Sequence, residues 1–241
     1  MGMTETGASR DLPVEGLSTR FFAIPWLFAL SMSWTVGVID AFTFDRYGVF
    51  TSNQAGNLVV LAVGLPDGAP TSVRAGLSLL GACAGVVVGL IIAGRFNRTN
   101  PMRLGAPLSL AMLVLLGSSL LDAQGPRYPS LVIPMVSFAL ACTAAGLLDA
   151  PAIRGWITAN TGAFLSAVSG LAAPPYGRGS LRGRTPAQRN GVVVTVGFFL
   201  GALAYGTGIV LRPNPVLIGA LPAIAAVGLS MLDILRRRRR D

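Results

Sequence analysis

The sequence has few charged residues, and it has no histidine and no lysine at all. Charged residues make up 12% of the 241 residues, whereas hydrophobic residues make up 52%. An ordinary soluble domain carries roughly 25% charged residues. Because so little charge cannot cover the surface of a soluble protein of this length, the composition predicts an integral membrane protein.

The missing residue types exclude most familiar enzyme chemistry. All 19 basic residues are arginine, so the chain has no phosphate-binding or Schiff-base lysine. It also has no histidine to act as a general base, a triad member or a metal ligand. The two cysteines, Cys83 and Cys142, lie in apolar runs without the spacing of a zinc or redox motif. We therefore expect no enzymatic activity and no metal or other cofactor.

Long uncharged stretches indicate transmembrane helices. A bilayer core of roughly 30 Å requires about 20 apolar residues in a helix. Six stretches are long enough, at residues 21–39, 75–94, 104–121, 128–148, 191–211 and 213–232. Two shorter apolar segments, 50–65 and 156–172, open with polar residues and have the length of re-entrant segments. The predicted fold is all-α, with six transmembrane helices and two re-entrant segments.

The positions of the arginines favour six spans over the alternative of eight spans. Short cytoplasmic loops accumulate arginine, and six spans with a cytoplasmic N-terminus place Arg95, Arg98 and Arg103 in the cytoplasm. Eight spans would place these three outside. The C-terminal run Arg236 to Arg240 is expected to contact anionic lipid headgroups. The net charge of +9 therefore indicates topology in a bacterial cytoplasmic membrane, with both termini inside, rather than binding of nucleic acid.

Two short motifs occur once in each half of the chain. Residues 37–41 share the pattern Gly-x-x-Asp-Ala with residues 146–150, and the polar segment 52–56 parallels 158–162. Because three crossings per half reverse the side from which the second half enters, six spans predict an inverted duplication. Eight spans would give a parallel duplication. The predicted organisation is a tail 1–20, a first repeat 21–121, an external linker 122–127, a second repeat 128–232 and a basic tail 233–241.

Polar residues in or near the membrane are the candidates for a solute pathway. These candidates are Asp40, Ser52, Asn53, Gln54, Gly56 and Asn57 in the first half, and Asp149, Thr158, Asn160, Thr161 and Gly162 in the second. Arg46 and Arg154 follow the two acids closely and are candidates for gating ion pairs. Alternatively, the acids are structural caps or salt bridges at helix ends, and the other polar side chains bond neighbouring helices.

Residues 37–41 and 50–58 resemble the YoaK-like family of small bacterial membrane proteins. The family's pattern there is Gly-x-x-Asp-Ala, followed by Phe and then Thr-Gly-Asn, and the resemblance runs from about residue 21 to residue 232. Ala55 stands where the pattern has threonine. The resemblance implies an integral membrane protein that is sometimes described as permease-like.

The duplicated polar segments, together with the absence of an ATP-binding motif, predict a secondary transporter or permease. Its partners would be the lipid bilayer, a small solute and a coupling ion, and the oligomeric state is left open. The alternative is a non-transporting membrane scaffold or assembly subunit, in which the polar segments serve packing alone.

Overall fold

The computed structural model describes residues 25–97, 100–124, 128–149, 186–209 and 214–238, and every regular element within them is helical. One turn of 3₁₀-helix, Leu147–Asp149, follows the fifth α-helix. Proline is the first residue of most of the helices, where its fixed φ favours the first turn. The seven described α-helices are α1 (Pro25–Tyr47), α2 (Gln54–Gly64), α3 (Pro70–Gly94), α4 (Met102–Ala123), α5 (Pro129–Gly146), α6 (Pro186–Gly206) and α7 (Pro215–Arg238).

Five helices are long and apolar enough to cross a bilayer. They are Trp26–Tyr47, Pro70–Gly94, Met102–Ala123, Pro129–Gly146 and Pro215–Arg236. The apolar helices Gln54–Gly64 and Gly191–Gly206 are shorter. Large apolar side chains such as Leu80, Leu113 and Leu229 are about two-thirds exposed, as is normal for a protein surface that faces lipid. The chain is a multi-pass membrane protein with an all-α fold, which confirms the predicted class.

Several helices extend beyond the uncharged runs that predicted them. α1 continues through Asp40 and Arg46 to Tyr47, and α4 includes Asp122. A charged residue does not end a helix when its side chain finds a partner inside the protein, so the predicted ends at 39 and 121 are too early. α7 likewise continues to Arg238. α6 is shifted toward the N-terminus at both ends, because it begins at Pro186 and ends at Gly206 instead of spanning 191–211.

The two halves of the chain pack against each other through two pairs of helices. α3 of the first half packs on α5, and α6 of the second half packs on α1. A Cβ added at Gly85 would overlap the backbone of Phe138, and one added at Gly201 would overlap the backbone of Trp34. Glycine therefore permits the close approach of two helix backbones in both contacts, as is common between membrane helices.

Contacts between helix ends establish the relative directions of the helices. The end of α1 meets the start of α3, the end of α4 and the end of α6, and the end of α4 meets the start of α7. We call this the Tyr47 end of the bundle. At the opposite end, Arg103 of α4 donates to the carbonyls of Ala93 and Phe96 that close α3, at 3.3 and 3.0 Å. Residues 48–69 therefore leave the Tyr47 end and return to it.

Candidate functional site

Residues 48–64 form a folded-back segment between α1 and α3. The turn is made by Gly48, whose φ is 72° and whose N–H donates to Phe44 O at 2.9 Å, an arrangement that favours glycine after a helix. The chain then runs back along α1 as far as Asp40, and α2 returns beside α3 to the Tyr47 end. Asp40 lies seven residues before Tyr47, so the tip of the segment is about 10 Å inside the bundle.

Asp40 anchors the descending part of the folded-back segment. Its carboxylate is buried, and Oδ1 accepts hydrogen bonds from Thr51 N at 2.8 Å, Thr51 Oγ1 at 2.9 Å and Ser52 N at 2.9 Å. Oδ2 accepts a further bond from Ser52 Oγ. Hydrogen bonds to a charged acceptor are the stronger kind, at about 1.5–3 kcal/mol each. Asp40 therefore positions the segment.

Asn57 connects α2 to the descending part of the folded-back segment at Phe50. Its Oδ1 accepts from Phe50 N at 3.0 Å, and its Nδ2 donates to Phe50 O at 2.6 Å. Nδ2 also lies 2.9 Å from Ser78 Oγ on α3, and that oxygen is 2.8 Å from Ser137 Oγ on α5. This line of polar groups joins the folded-back segment to the second half of the chain.

The tip of the folded-back segment carries the accessible polar groups. Asn53 caps α2, because its side-chain oxygen accepts a hydrogen bond from Gly56 N at 3.2 Å, and the residue is exposed. Ser52, Gln54 and Gly56 are half-buried, and Gln54 Nε2 donates to Thr51 O at 2.8 Å. Of the predicted pathway residues in the first half, Asn53 is the exposed one. Asp40 and Asn57 are buried and hydrogen-bonded.

A second polar cluster lies at the Tyr47 end, and we call Arg46, Tyr47 and Asp122 the latch. Nη1 of Arg46 is 3.6 Å from Asp122 Oδ1, and the hydroxyl of Tyr47 donates to the same oxygen at 3.3 Å. The guanidinium also lies 5.6 Å from the centre of the Phe42 ring, a cation–π distance. The latch fastens the end of α1 to the end of α4.

The pairing of Arg46 with Asp40 that the spacing suggested is wrong. Six residues along an α-helix turn the side chain by about 240°, so Arg46 points away from the face of Asp40. The oxygens of Asp40 are already occupied by Thr51 and Ser52. The acid that meets Arg46 is instead Asp122, from a different helix.

A family model described as "Protein of unknown function (DUF1275)" matches residues 28–232. This range extends from α1 to α7 and includes both the folded-back segment and the latch. The chain belongs to the DUF1275 family. No curated protein and no solved structure matches it. Membership in DUF1275 agrees with the predicted extent of the family resemblance, while the YoaK-like label stays a prediction.

The predicted pathway residues of the second half of this DUF1275 chain lie at or beyond the end of the described range 128–149. Asp149 is the last residue of the 3₁₀ turn, and only its backbone is described. The remaining candidates of the second half, Arg154, Thr158, Asn160, Thr161 and Gly162, lie outside the described residues. Their part in a solute pathway therefore stays a prediction.

Sequence reasoning missed several residues of these clusters. Ser78 and Ser137 each have apolar neighbours on both sides in the sequence, and such hydroxyls commonly form hydrogen bonds between membrane helices. Asp122 directly follows an uncharged run, and defining spans by the absence of charge left it outside the helix. Its position close to the end of a membrane helix was the available signal. Both oversights concern partners that only the tertiary fold brings together.

Proposed function

We propose that this DUF1275 protein is a secondary transporter of a small polar solute in the bacterial cytoplasmic membrane, with both termini in the cytoplasm. In this proposal the folded-back segment is a re-entrant segment that forms part of the solute site. The observation that carries it is the line from Asn57 through Ser78 to Ser137, which places the polar tip beside the contact between the two halves. Transporters with inverted repeats commonly build their sites there from discontinuous helices.

The two helix pairs that pack across the halves support an inverted duplication. A pseudo-twofold axis that relates α1 to α5 and α3 to α6 requires the α3–α5 contact to have a counterpart between α6 and α1. Both contacts occur, and both are made through glycines. The direction of the helices supports it too, since α1 ends and α5 begins at the Tyr47 end. Six spans with two re-entrant segments agree with this arrangement.

A non-transporting scaffold is the second candidate function. The observation that favours it is that the polar atoms of Asp40 and Asn57 form hydrogen bonds within the protein. Asn53 discriminates between the two candidates, because it is exposed at the tip. In a transporter, a cysteine at this position reacts with membrane-impermeant thiol reagents from both sides of the membrane. In a packed scaffold it does not react.

Transport itself is tested with purified protein in liposomes, using a panel of sugars, amino acids and organic acids under proton and sodium gradients. We expect uptake of at least one solute above protein-free liposomes. Loss of a solute contact worth about 1.4 kcal/mol lowers affinity about tenfold, so Asn53→Leu should slow uptake by about that factor at solute concentrations well below the KM. Val63→Leu, at an exposed position of α2, the helix that Asn53 caps, is the control and should not. If a folded protein moves no solute under either gradient, the proposal is wrong.

A further inference from the structure

Asp122 is a buried carboxylate whose two oxygens differ in their surroundings. Its side chain is 1% exposed. Oδ1 faces Arg46 and Tyr47, but Oδ2 makes no hydrogen bond with any residue that the structure describes. A buried carboxylate oxygen without a donor is costly. Ionisable groups kept in membrane segments in this way commonly bind protons or ions.

The latch connects Asp122 to the folded-back segment through one residue. The hydroxyl of Tyr47 donates to Asp122, and the carbonyl of the same Tyr47 accepts from Arg74 Nη1 of α3 at 3.2 Å. Gly48, where the folded-back segment begins, is the next residue. A change in the charge of Asp122 therefore acts directly on the corner from which the segment descends.

We propose that Asp122 is a proton-binding site and that the coupling ion of the proposed transporter is the proton. A proton from water at the Tyr47 end binds Oδ2, and the carboxylate becomes a neutral acid whose O–H can donate a hydrogen bond. Arg46 then loses its anionic partner, and its side chain, 31% exposed, turns to water. The end of α1 is released from α4, and the folded-back segment is free to move.

A metal cation is a poor alternative occupant of this site. Hard cations take several oxygen ligands, whereas a guanidinium and a phenol face Asp122 here. Within the described ranges, no three metal-ligating side chains come together. The other titratable or charged side chains that the structure describes at this end are Arg74 of α3, Asp45 and Tyr205, which bond each other at 2.7 Å, the exposed Asp67 after α2, and Tyr128 before α5.

Asp122 has a counterpart in the second half that serves as a control. Residues 119–122 of α4 and 230–233 of α7 share the pattern Ser-x-Leu-Asp. Asn214, just before α7, donates to Ser119 O near the end of α4 at 2.8 Å. α7 therefore starts where α4 finishes, and Asp233, near the end of α7, lies toward the opposite end of the bundle. Asp233→Asn removes the same charge far from the latch.

The test measures whether protonation opens the corner next to the latch. The reporter is Val49→Cys, a fully buried position in the folded-back segment, in a chain with Cys83→Ser and Cys142→Ser. Its labelling by an impermeant maleimide in phosphatidylglycerol-containing liposomes is followed against pH. Dividing by the rate for Asp67→Cys, an exposed position at the same end, removes the pH dependence of the thiol. We expect this ratio to rise about tenfold per pH unit of acidification before saturation, as for one proton site.

Substitutions assign the response to Asp122. Asp122→Asn should make labelling fast at every pH, Asp122→Glu should keep the pH response, and Asp233→Asn should leave it intact. If Asp122→Asn does not fold, Arg46→Gln serves instead and should likewise make labelling fast at every pH, because the ion pair that protonation breaks is already absent. A ratio that does not change with pH, or a response lost equally in Asp233→Asn, overturns the proposal. The assay needs no solute flux, so its failure is distinguishable from failure of the transport proposal on which this inference rests.

Discussion

Asp40→Ala is expected to lower the free energy of unfolding by about 2–6 kcal/mol. The substitution leaves the backbone N–H groups of the buried Thr51 and the half-buried Ser52 without their acceptor. Each unsatisfied buried donor costs about 1–3 kcal/mol, while the two hydroxyls can rotate toward other acceptors. Unfolding of the purified protein in mixed micelles, followed by titration with a denaturing detergent, measures the effect.

Two variants make the Asp40 experiment interpretable. Asp67→Ala removes a carboxylate from an exposed loop and should change stability by no more than about 0.5 kcal/mol. Asp40→Asn retains one acceptor oxygen and should fall between alanine and the unaltered protein. If Asp40→Ala is as stable as the unaltered protein and only solute flux is lost, Asp40 contacts solute rather than anchoring the segment.

Gly85→Ala and Gly201→Ala are each expected to destabilise the protein by about 1–3 kcal/mol, the usual cost of overpacking. The added methyl would overlap the backbone of Phe138 in one case and of Trp34 in the other. Helix backbones cannot move aside as a flexible side chain does. The same unfolding titration, with helix content followed by circular dichroism, measures the loss.

The matched control for the glycine contacts is Gly228→Ala in α7. Nothing lies within 4 Å of a Cβ at this position, so alanine adds only its better helix propensity. We expect the stability to rise by up to about 1 kcal/mol. Stability changes of opposite sign at Gly85 and Gly228 support close backbone packing between the two halves. A loss at Gly228 as large as at Gly85 would mean that glycines matter here for another reason.

The all-helical membrane fold was predictable because it depends on composition and on the length of apolar runs. The ends of the helices were less predictable, because a run of uncharged residues stops at every charge, whether or not the fold provides a partner for it. Asp40 finds its partners in the loop that follows α1, and Asp122 finds Arg46. Neither interaction is visible in local sequence.

The candidate site was predictable only in part, because some of its residues are brought together by tertiary packing. The residue types and spacing picked out Asp40 and Asn57 as unusual for a membrane segment, and both lie in one connected polar cluster. The cluster depends equally on Ser78 and Ser137, which are 59 residues apart in the chain. Only the packing of α3 on α5 brings these two hydroxyls together. That the cluster forms a solute pathway stays a proposal.

The proposed transporter requires residues 48–64 to enter and leave the membrane at the same face. Single cysteines at Asp67, Ile209 and Asn97, all exposed, are labelled with an impermeant reagent on intact cells, in a chain without Cys83 and Cys142. We expect Asp67→Cys and Ile209→Cys to react from outside and Asn97→Cys to react only after lysis. Protection of Asp67→Cys while Ile209→Cys is labelled would mean that α2 crosses the membrane, and would contradict the proposed re-entrant segment.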